Sequence, residues 1–147
     1  MHRFTTKKGI EFIKKFEGFS SVAYFCPGGH QTIGYGHKLL PNEPYKIVNL
    51  KIAEEILMMD LHRIESAIIN YINVELNDNQ FDALVSFTFN LGPAALQRSG
   101  LRQKINYSLY DEAKEEFLKW VYIGSKKLQG LIYRRKAESN LFAGYLN

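Results

Sequence analysis

The chain has 147 residues, of which 46% are hydrophobic and 23% charged, a size and composition that suit one ordered domain and exclude a disordered chain. Its formal net charge of +4 favours an anionic partner, such as nucleic acid, anionic lipid or a cell wall, without choosing among them. Because Cys26 is the only cysteine, an intramolecular disulfide and a multi-cysteine zinc site are both excluded, and synthesis in a reducing compartment is expected.

From the sequence we expect neither a membrane anchor nor a nucleic-acid-binding motif. Residues 1–8 lack the apolar run of a signal peptide, and no stretch reaches the roughly 18 apolar residues that a membrane span requires. Lysine and arginine occur only in short, scattered groups such as Arg134-Arg135-Lys136. We therefore expect no stable membrane association and no binding to nucleic acid.

The first half of the chain predicts one helix, a small β element and a second helix. Thr5-Thr6 provides good N-caps for an amphipathic helix that ends near Gly18. Residues 22–37 combine strand-like runs with a Pro-Gly-Gly turn, which predicts a β-hairpin or a three-stranded ribbon. Hydrophobic residues at helical spacing then predict a helix over residues 49–71.

The second half is predicted to be helical throughout. Asn77 and Gln80 form a capping-box pattern for a helix that stops at Gly92-Pro93. The apolar stripe of this helix is assigned to the core: Phe81, Leu84, Val85 and Phe89. Further helices are predicted over residues 99–105, 109–121 and 131–145.

These elements predict a mainly α fold of the α+β class, in a single domain over residues 1–147. The small N-terminal β lobe is expected to pack on one side of the helical body and to leave a cleft between the two, which is a usual place for a ligand site. Trp120 and the last helix are expected to close the core behind that cleft.

One stretch of the sequence carries a motif of known chemistry. Glu17 is followed after eight residues by Cys26 and after five more by Thr32, which opens the run Thr-Ile-Gly-Tyr-Gly-His that ends at His37. This region closely resembles the active site of the phage-type lysozymes (glycoside hydrolase family 24), whose pattern is Glu, eight residues, Asp or sometimes Cys, five residues, Thr. The resemblance covers nearly the whole chain, because similar segments follow over residues 79–84, 89–92, 99–105 and 130–138.

The resemblance implies a lysozyme-like fold and an endolysin, a muramidase that hydrolyses the β-1,4 bond between N-acetylmuramic acid and N-acetylglucosamine in bacterial peptidoglycan and so lyses the host cell. It implies no metal and no cofactor, since glycoside hydrolysis needs neither, and we expect a monomer. Relatives of this kind wait in the cytoplasm of the bacterial host until a separate membrane pore protein releases them to the cell wall, and the same route is expected here. The alternative is a non-catalytic peptidoglycan-binding module on the same fold, with Cys26 marking lost activity.

Glu17 suits the role of the acid, because a glycosidase needs one group to protonate the leaving oxygen and a second group on the opposite face of the sugar. Burial in the cleft beside Phe16 and Phe19 would raise its pKa, as that role requires. The resemblance places Arg134 against Glu17, where it would hold the carboxyl group. The open alternative is a plain surface arginine on the last helix.

Cys26 stands where most relatives carry a carboxylate. A thiol has a reference pKa of about 8.5, so only a few per cent is ionised near neutral pH, and a neighbouring Glu17 carboxylate would lower that fraction further. Thr32 is expected to return its hydroxyl beside the thiol and to position water. Three interpretations remain open: Cys26 acts as a base or nucleophile once ionised, it only orients water while Thr32 does more of the work, or the site is impaired. The family pattern tolerates cysteine here, which favours an active enzyme.

Several other residues are assigned supporting or structural roles. Tyr24, Tyr35 and Asn90 are candidates to line the sugar groove, because aromatic faces and amide groups suit hexose rings and N-acetyl groups. His37 is interpreted as structural rather than as a general base. The remaining histidines make no metal-ligand spacing with it: His2, His30 and His62.

Overall fold

A computed structural model describes residues 1–145, and in them a small antiparallel sheet packs on a helical body. The predicted domain extends to residue 147, so its last two residues lie outside the described range. The helices are α1 (Lys7–Glu17), α2 (Leu50–Tyr71), α3 (Asp78–Leu91), α4 (Pro93–Arg98), α5 (Gly100–Asn106), α6 (Tyr110–Glu116) and α7 (Gln129–Ala143). The strands are β1 (Ser20–Phe25), β2 (Gln31–Gly34), β3 (His37–Lys38), β4 (Tyr122–Ile123) and β5 (Lys126–Lys127). None of the helices within residues 1–145 is long and apolar enough to cross a membrane.

Helix α1 places Glu17 at the junction of the two lobes. Its N-cap is Thr6, whose hydroxyl accepts a hydrogen bond from the backbone N–H of Gly9 at 3.1 Å. The helix ends at Glu17, and Gly18 leaves it with a φ of +68°, a conformation that glycine adopts without strain. The predicted cap and the predicted end of this helix are confirmed, and Glu17 is therefore fixed on its last turn.

The β lobe is the predicted three-stranded ribbon, with antiparallel strands in the order β1-β2-β3. Tyr24 on β1 pairs with Thr32 on β2. The turn between these strands closes where the backbone N–H of Gly29 donates to the carbonyl of Cys26 at 2.8 Å. Cys26 and Thr32 therefore flank one tight turn. A small apolar cluster fastens the sheet to α2: Ile33, Val48, Ala53 and Ile56.

The main core surrounds α3, whose residues 81–88 are all buried. The Phe87 ring meets the rings of Phe117 and Trp120 edge-on, with centroid distances of 5.5 and 5.7 Å. Helix α7 packs along α3 and adds the buried Leu141 to the same core. Trp120 and α7 thus close the core as predicted, and α3 becomes the rigid element on which the cleft is built.

The helix predicted over residues 109–121 is shorter in the structure. Helix α6 ends at Glu116, and a 3-10 turn over Phe117–Lys119 follows. Side chains three residues apart eclipse in a 3-10 turn, which allows Phe117 and Trp120 to reach the same ring of the core. The need to bury both aromatic side chains outweighs the helical periodicity of the segment.

Two further elements are missing from the sequence prediction. Gly92-Pro93 indicates a helix stop, but Pro93 also occupies the first turn of a new helix, α4, where its missing N–H is harmless. The two-residue strands β4 and β5 form an antiparallel hairpin, in which Tyr122 pairs with Lys127. Strands this short carry too little alternation to be detected. The last helix begins at Gln129, two residues before the predicted start at residue 131.

His37 clamps the β lobe to α2. Its Nδ1 lies 2.7 Å from Oδ2 of Asp60 on α2, and its Nε2 lies 2.8 Å from Oε1 of Glu43 in the following loop. The hydrogen bond to Asp60 raises the pKa of His37, and Glu43 adds to this effect against the opposing effect of burial. With both ring nitrogens engaged by carboxylates, His37 has the structural role that the sequence predicted.

We predict that His37→Gln lowers the free energy of unfolding by about 2 kcal/mol near pH 5.5, because it removes the two hydrogen bonds that the protonated ring donates to carboxylates. The pKa of His37 is raised in the folded protein above its ordinary value of 6.5. Its contribution is therefore fully present below about pH 6.5 and is lost as the pH rises through the folded-state pKa. Urea unfolding of both proteins between about pH 5.5 and pH 9 measures the difference. The same change at the exposed His30 is the control, and a His37→Gln difference that stays constant with pH contradicts the prediction.

Candidate active site

A cleft of about 710 Å³ separates the β lobe from the helical body. Its walls come from the ends of α1 and α3, the turn between β1 and β2, the β4–β5 hairpin and the start of α7. The polar and aromatic side chains that line it include Glu17, Tyr24, Cys26, His30, Thr32, Lys38, Asn90, Tyr122, Gln129 and Arg134. The cleft thus brings together all three residues of the Glu-Cys-Thr motif.

Glu17 is held in the cleft from two sides. Its side chain is only 15% exposed, and its Oε2 accepts a hydrogen bond from Nη1 of Arg134 at 2.6 Å. On the other side lies Gly36, which has a φ of +71°. A Cβ atom at Gly36 would lie 2.7 Å from Cδ of Glu17, so only glycine leaves room for this carboxyl group. The second glycine of the Thr-Ile-Gly-Tyr-Gly-His run therefore has a steric function next to Glu17.

The guanidinium group of Arg134 is engaged at every nitrogen. Nη1 donates to Glu17, Nε donates to Oε2 of Glu138 at 3.2 Å, and Nη2 donates to the carbonyl of Ser86 at 3.2 Å. The Arg134 side chain is 6% exposed. The contact between Arg134 and Glu17 that the resemblance implies is present, and the guanidinium that makes it is fixed by α3 and α7.

A second buried guanidinium lies beside the first. Arg135 is completely buried, and its Nη2 donates to Oδ1 of Asn90 at 2.6 Å. Its Nε lies 2.8 Å from Oε1 of Glu138, which is also completely buried. Burial disfavours the charged form of both groups. It lowers the pKa of Arg135 to about 10, although the charge of Glu138 opposes this effect, and it raises the pKa of Glu138. Arg135 is thus a charged support behind Asn90, which lines the cleft.

Arg135 and Glu138 belong to the segment 130–138 of the family resemblance, but the sequence indicated a role for neither residue. The signal that could have found them is their spacing, since Glu138 follows Arg134 by four residues and Arg135 by three on one helix. Their burial was the missing fact, because the same spacing is common on solvated helix surfaces.

Cys26 is half-buried at the turn between β1 and β2. Burial raises the pKa of its thiol, but hydrogen bonds with the His30 backbone, the Thr32 side chain and the Gly28 backbone together outweigh burial and leave the pKa below its ordinary value. The positive charge of Lys38 acts in the same direction. The net pKa of Cys26 is therefore lowered, although the sequence led us to expect that a neighbouring Glu17 carboxylate would disfavour the thiolate.

Thr32 lies beside Cys26 as predicted. Its side chain is buried, and its hydroxyl donates to the carbonyl of His30 at 3.0 Å. A hydroxyl carries one hydrogen, so Thr32 donates either to His30 or to an ionised Cys26, and its oxygen can accept a hydrogen bond from water in both cases. This arrangement is compatible with a hydroxyl that holds a water molecule next to the sulfur.

Of the three groove candidates, two line the cleft. Asn90 does so with its side-chain oxygen held by Arg135. Tyr24 is 38% exposed, and its pKa is raised by burial and by the negative charges of Glu17 and Cys26. Tyr35 is not among the residues that line the cleft. Tyr35 packs against both apolar clusters, with the Phe19 ring 5.6 Å away. Neither Tyr35 nor Phe19 lines the cleft, where both were predicted.

The wall opposite the β lobe contains residues that the sequence did not indicate. Tyr122 and Ile123 of the β4–β5 hairpin line the cleft and are 55% and 39% exposed. Phe89, which the apolar stripe of α3 assigns to the core, is only half-buried and also lines the cleft. Among residues 1–145, no group of three or more His, Cys, Asp or Glu side chains is placed to hold a metal ion.

Comparison with known proteins gives a consistent result. Residues 14–138 match the family described as phage lysozyme. The chain is 38% identical over 141 residues to the endolysin of Acyrthosiphon pisum secondary endosymbiont phage 1, an alignment that covers 93% of this chain and 96% of that protein. Its structure resembles the muramidase domain of SpmX from Asticaccaulis excentricus, with a TM-score of 0.85, 35% identity and coverage of 97% and 98% of the two chains.

Some relatives are longer. The endolysin of Bacillus phage B103 is 37% identical over 139 residues, but the alignment covers 93% of this chain and only 53% of that protein. The chain therefore spans about half the length of this relative and nearly the full length of the symbiont-phage endolysin.

We predict that the thiol of Cys26 reacts with iodoacetamide with an apparent pKa below that of a free thiol, because the donors of the β1–β2 turn stabilise the thiolate. Mass spectrometry of the labelled protein, sampled between about pH 5.5 and pH 10, measures the rate at this single cysteine. Thr32→Val removes a hydroxyl donor and should raise the apparent pKa, whereas Thr88→Val, a buried change on α3 at a residue that does not line the cleft, should not. An apparent pKa at or above that of a free thiol would contradict the prediction.

Proposed function

The chain belongs to the phage lysozyme family of peptidoglycan-hydrolysing endolysins, and we propose that it hydrolyses the β-1,4 bond between N-acetylmuramic acid and N-acetylglucosamine. This is the reaction of a lysozyme, or N-acetylmuramidase. The observation that supports it best is the placement of Glu17, Cys26 and Thr32 in one cleft, with a carboxyl group on α1 and a thiol on the β1–β2 turn. The single domain over residues 1–147 is proposed as the unit that performs the reaction.

Glu17 is the proton donor in this proposal. It gives its proton to the glycosidic oxygen as the bond between that oxygen and the anomeric carbon breaks. Gly36 and Arg134 support the role because they confine the carboxyl group to one position. A donor that is already held in position raises the rate, because little conformational entropy is lost when the carboxyl group aligns with the glycosidic oxygen.

Cys26 acts as a thiolate base in this proposal. Its sulfur takes a proton from a water molecule that Thr32 holds, and the oxygen of that water bonds to the anomeric carbon. One displacement on the face opposite the leaving group inverts the configuration at that carbon. The donors that lower the pKa of Cys26 support this role, since they increase the fraction of thiolate at neutral pH.

The remaining lining residues are proposed to bind the sugar chain. Tyr24 offers an aromatic ring on the β lobe, Asn90 offers an amide at the end of α3, and Tyr122 offers a second ring on the β4–β5 hairpin. Lys38 and the net charge of +4 favour an anionic wall polymer. We propose a monomer that waits in the host cytoplasm and reaches the wall through a separate membrane pore protein.

Glu17→Gln is expected to abolish clearing of purified peptidoglycan, because the amide keeps the shape of the side chain but cannot donate the proton. We expect at least a hundredfold loss, the usual effect of removing a general acid. Turbidity of a sacculus suspension gives the rate, and mass spectrometry of the soluble fragments identifies reducing muramic acid ends. Lys126→Gln, an exposed change on the neighbouring hairpin, serves as the control.

Binding separates this proposal from the alternative of a non-catalytic wall-binding module. The Glu17→Gln variant should still bind sacculi and sediment with them. If the wild type sediments with them but releases no fragments between about pH 5 and pH 9, the range in which carboxyl and thiol groups ionise, then the chain is a binding module and the proposed reaction is wrong.

Cys26→Ser is expected to lower the rate by about a hundredfold, because a serine hydroxyl does not ionise in this pH range. Cys26→Asp should restore activity and extend it to lower pH, because a carboxyl group ionises at about pH 4. Initial rates against pH test both statements. Proton NMR of the first product formed from a soluble glycan should show the α-anomer at muramic acid. The β-anomer would mean that sulfur attacks carbon, and full activity of Cys26→Ser would mean that sulfur only orients water.

A further inference from the structure

Glu138 lies at the centre of the buried charges behind the cleft. It is completely buried on α7 and faces the guanidinium groups of Arg134 and Arg135. Its Oε2 accepts hydrogen bonds from the hydroxyl of Ser86 at 2.5 Å and from Nε of Arg134 at 3.2 Å. No part of Glu138 lines the cleft, so it cannot touch a substrate.

The charges of this group balance only when Glu138 is included. The guanidinium groups of Arg134 and Arg135 face the carboxylates of Glu17 and Glu138. Without Glu138, the guanidinium groups of Arg134 and Arg135 would have only the Glu17 carboxylate nearby, and their mutual repulsion would no longer be offset by attraction to Glu138. Arg134 would then lose the partner on the side opposite Glu17.

The geometry also makes Glu138 the anchor that sets the direction of Arg134. The guanidinium is planar, and its donors leave in fixed directions. Once Glu138 takes Nε and Ser86 takes Nη2, Nη1 can only point at Glu17. The position of the Glu17 carboxyl group is therefore set from α7, across the core, rather than by α1 alone.

We infer that Glu138 is a positioning residue for the proposed reaction, which acts through Arg134 to hold the Glu17 carboxyl group where it donates its proton. The inference rests on the proposed function. It goes beyond that function in assigning a catalytic consequence to a residue that is 0% exposed and has no access to the sugar. A residue that served only the stability of α7 would have no such consequence.

The test compares kcat and KM on a soluble, uncrosslinked glycan of alternating N-acetylglucosamine and N-acetylmuramic acid. We expect Glu138→Gln to lower kcat by about tenfold to a hundredfold, the effect of a misplaced catalytic group, and to leave KM within about twofold. Arg134→Gln should give a similar loss. The double variant should lose little more than Arg134→Gln alone, because both changes break the same chain of contacts.

Leu141→Ala is the matched control for stability. It opens a cavity on the same helix without touching the buried charges, so it should lower the unfolding temperature and leave kcat unchanged. Ser86→Ala is the milder variant if Glu138→Gln does not fold, because it removes the hydroxyl that both Glu138 and Arg134 contact. Its kcat should fall in the same direction by a smaller factor.

Three results would overturn the inference: an unchanged kcat in Glu138→Gln, an equal loss in Leu141→Ala, or a double variant whose losses multiply. NMR supplies a readout that does not depend on activity. The Nε–H signal of Arg134 and the carboxyl carbon signal of Glu17 should both shift in Glu138→Gln and stay in place in Leu141→Ala. If the wild type cleaves no glycan, the proposed reaction fails, while these two signals still decide whether Glu138 positions Glu17.

Discussion

The guanidinium of Arg134 is the constraint on which the cleft depends. It joins the last turn of α1, where Glu17 lies, to the buried centre of the molecule, where Glu138 and Ser86 receive its other nitrogens. Such a group is stable in the interior only because each of its charged edges meets an oxygen. The oxygens that stabilise the buried guanidinium also fix its orientation. The contacts that allow Arg134 to be buried are therefore the contacts that orient Glu17.

Local sequence rules account for most of the elements in this fold. The Thr6 cap of α1, the capping box of Asn77 and Gln80 and the stop at Gly18 are short-range features, and the structure contains all of them. The shortened α6 and the β4–β5 hairpin depend on contacts with distant parts of the chain. No window of local sequence records that Phe117 and Trp120 both need the ring of Phe87.

The residues of the candidate site also differ in whether the sequence alone could indicate them. The spacing of Glu17, Cys26 and Thr32 could be recognised in the sequence because all three lie on one continuous stretch that folds back on itself. Of the support behind them, Arg134 was indicated only by the family resemblance, and Glu138 received no role. Both residues lie more than a hundred positions from Glu17 in the chain, so no local pattern records their contacts. Tyr35 illustrates the opposite error, since it belongs to the motif in sequence but packs into the core rather than the cleft.

The two sides of the cleft are built on different kinds of element. Glu17 lies at the end of a helix, and buried charges fix its carboxyl group. Cys26 lies on a short turn, and Tyr122 lies on a two-residue strand. In the proposed reaction the proton donor must keep its position to within a fraction of an ångström, while the surfaces proposed to bind the sugar chain must let it enter and leave. The turn also contains the buried Thr32, next to the sulfur of Cys26. Burial of Cys26 opposes ionisation of the thiol, but the backbone and hydroxyl groups of the turn outweigh it and leave the pKa below its ordinary value, so the turn itself favours an anion at this position.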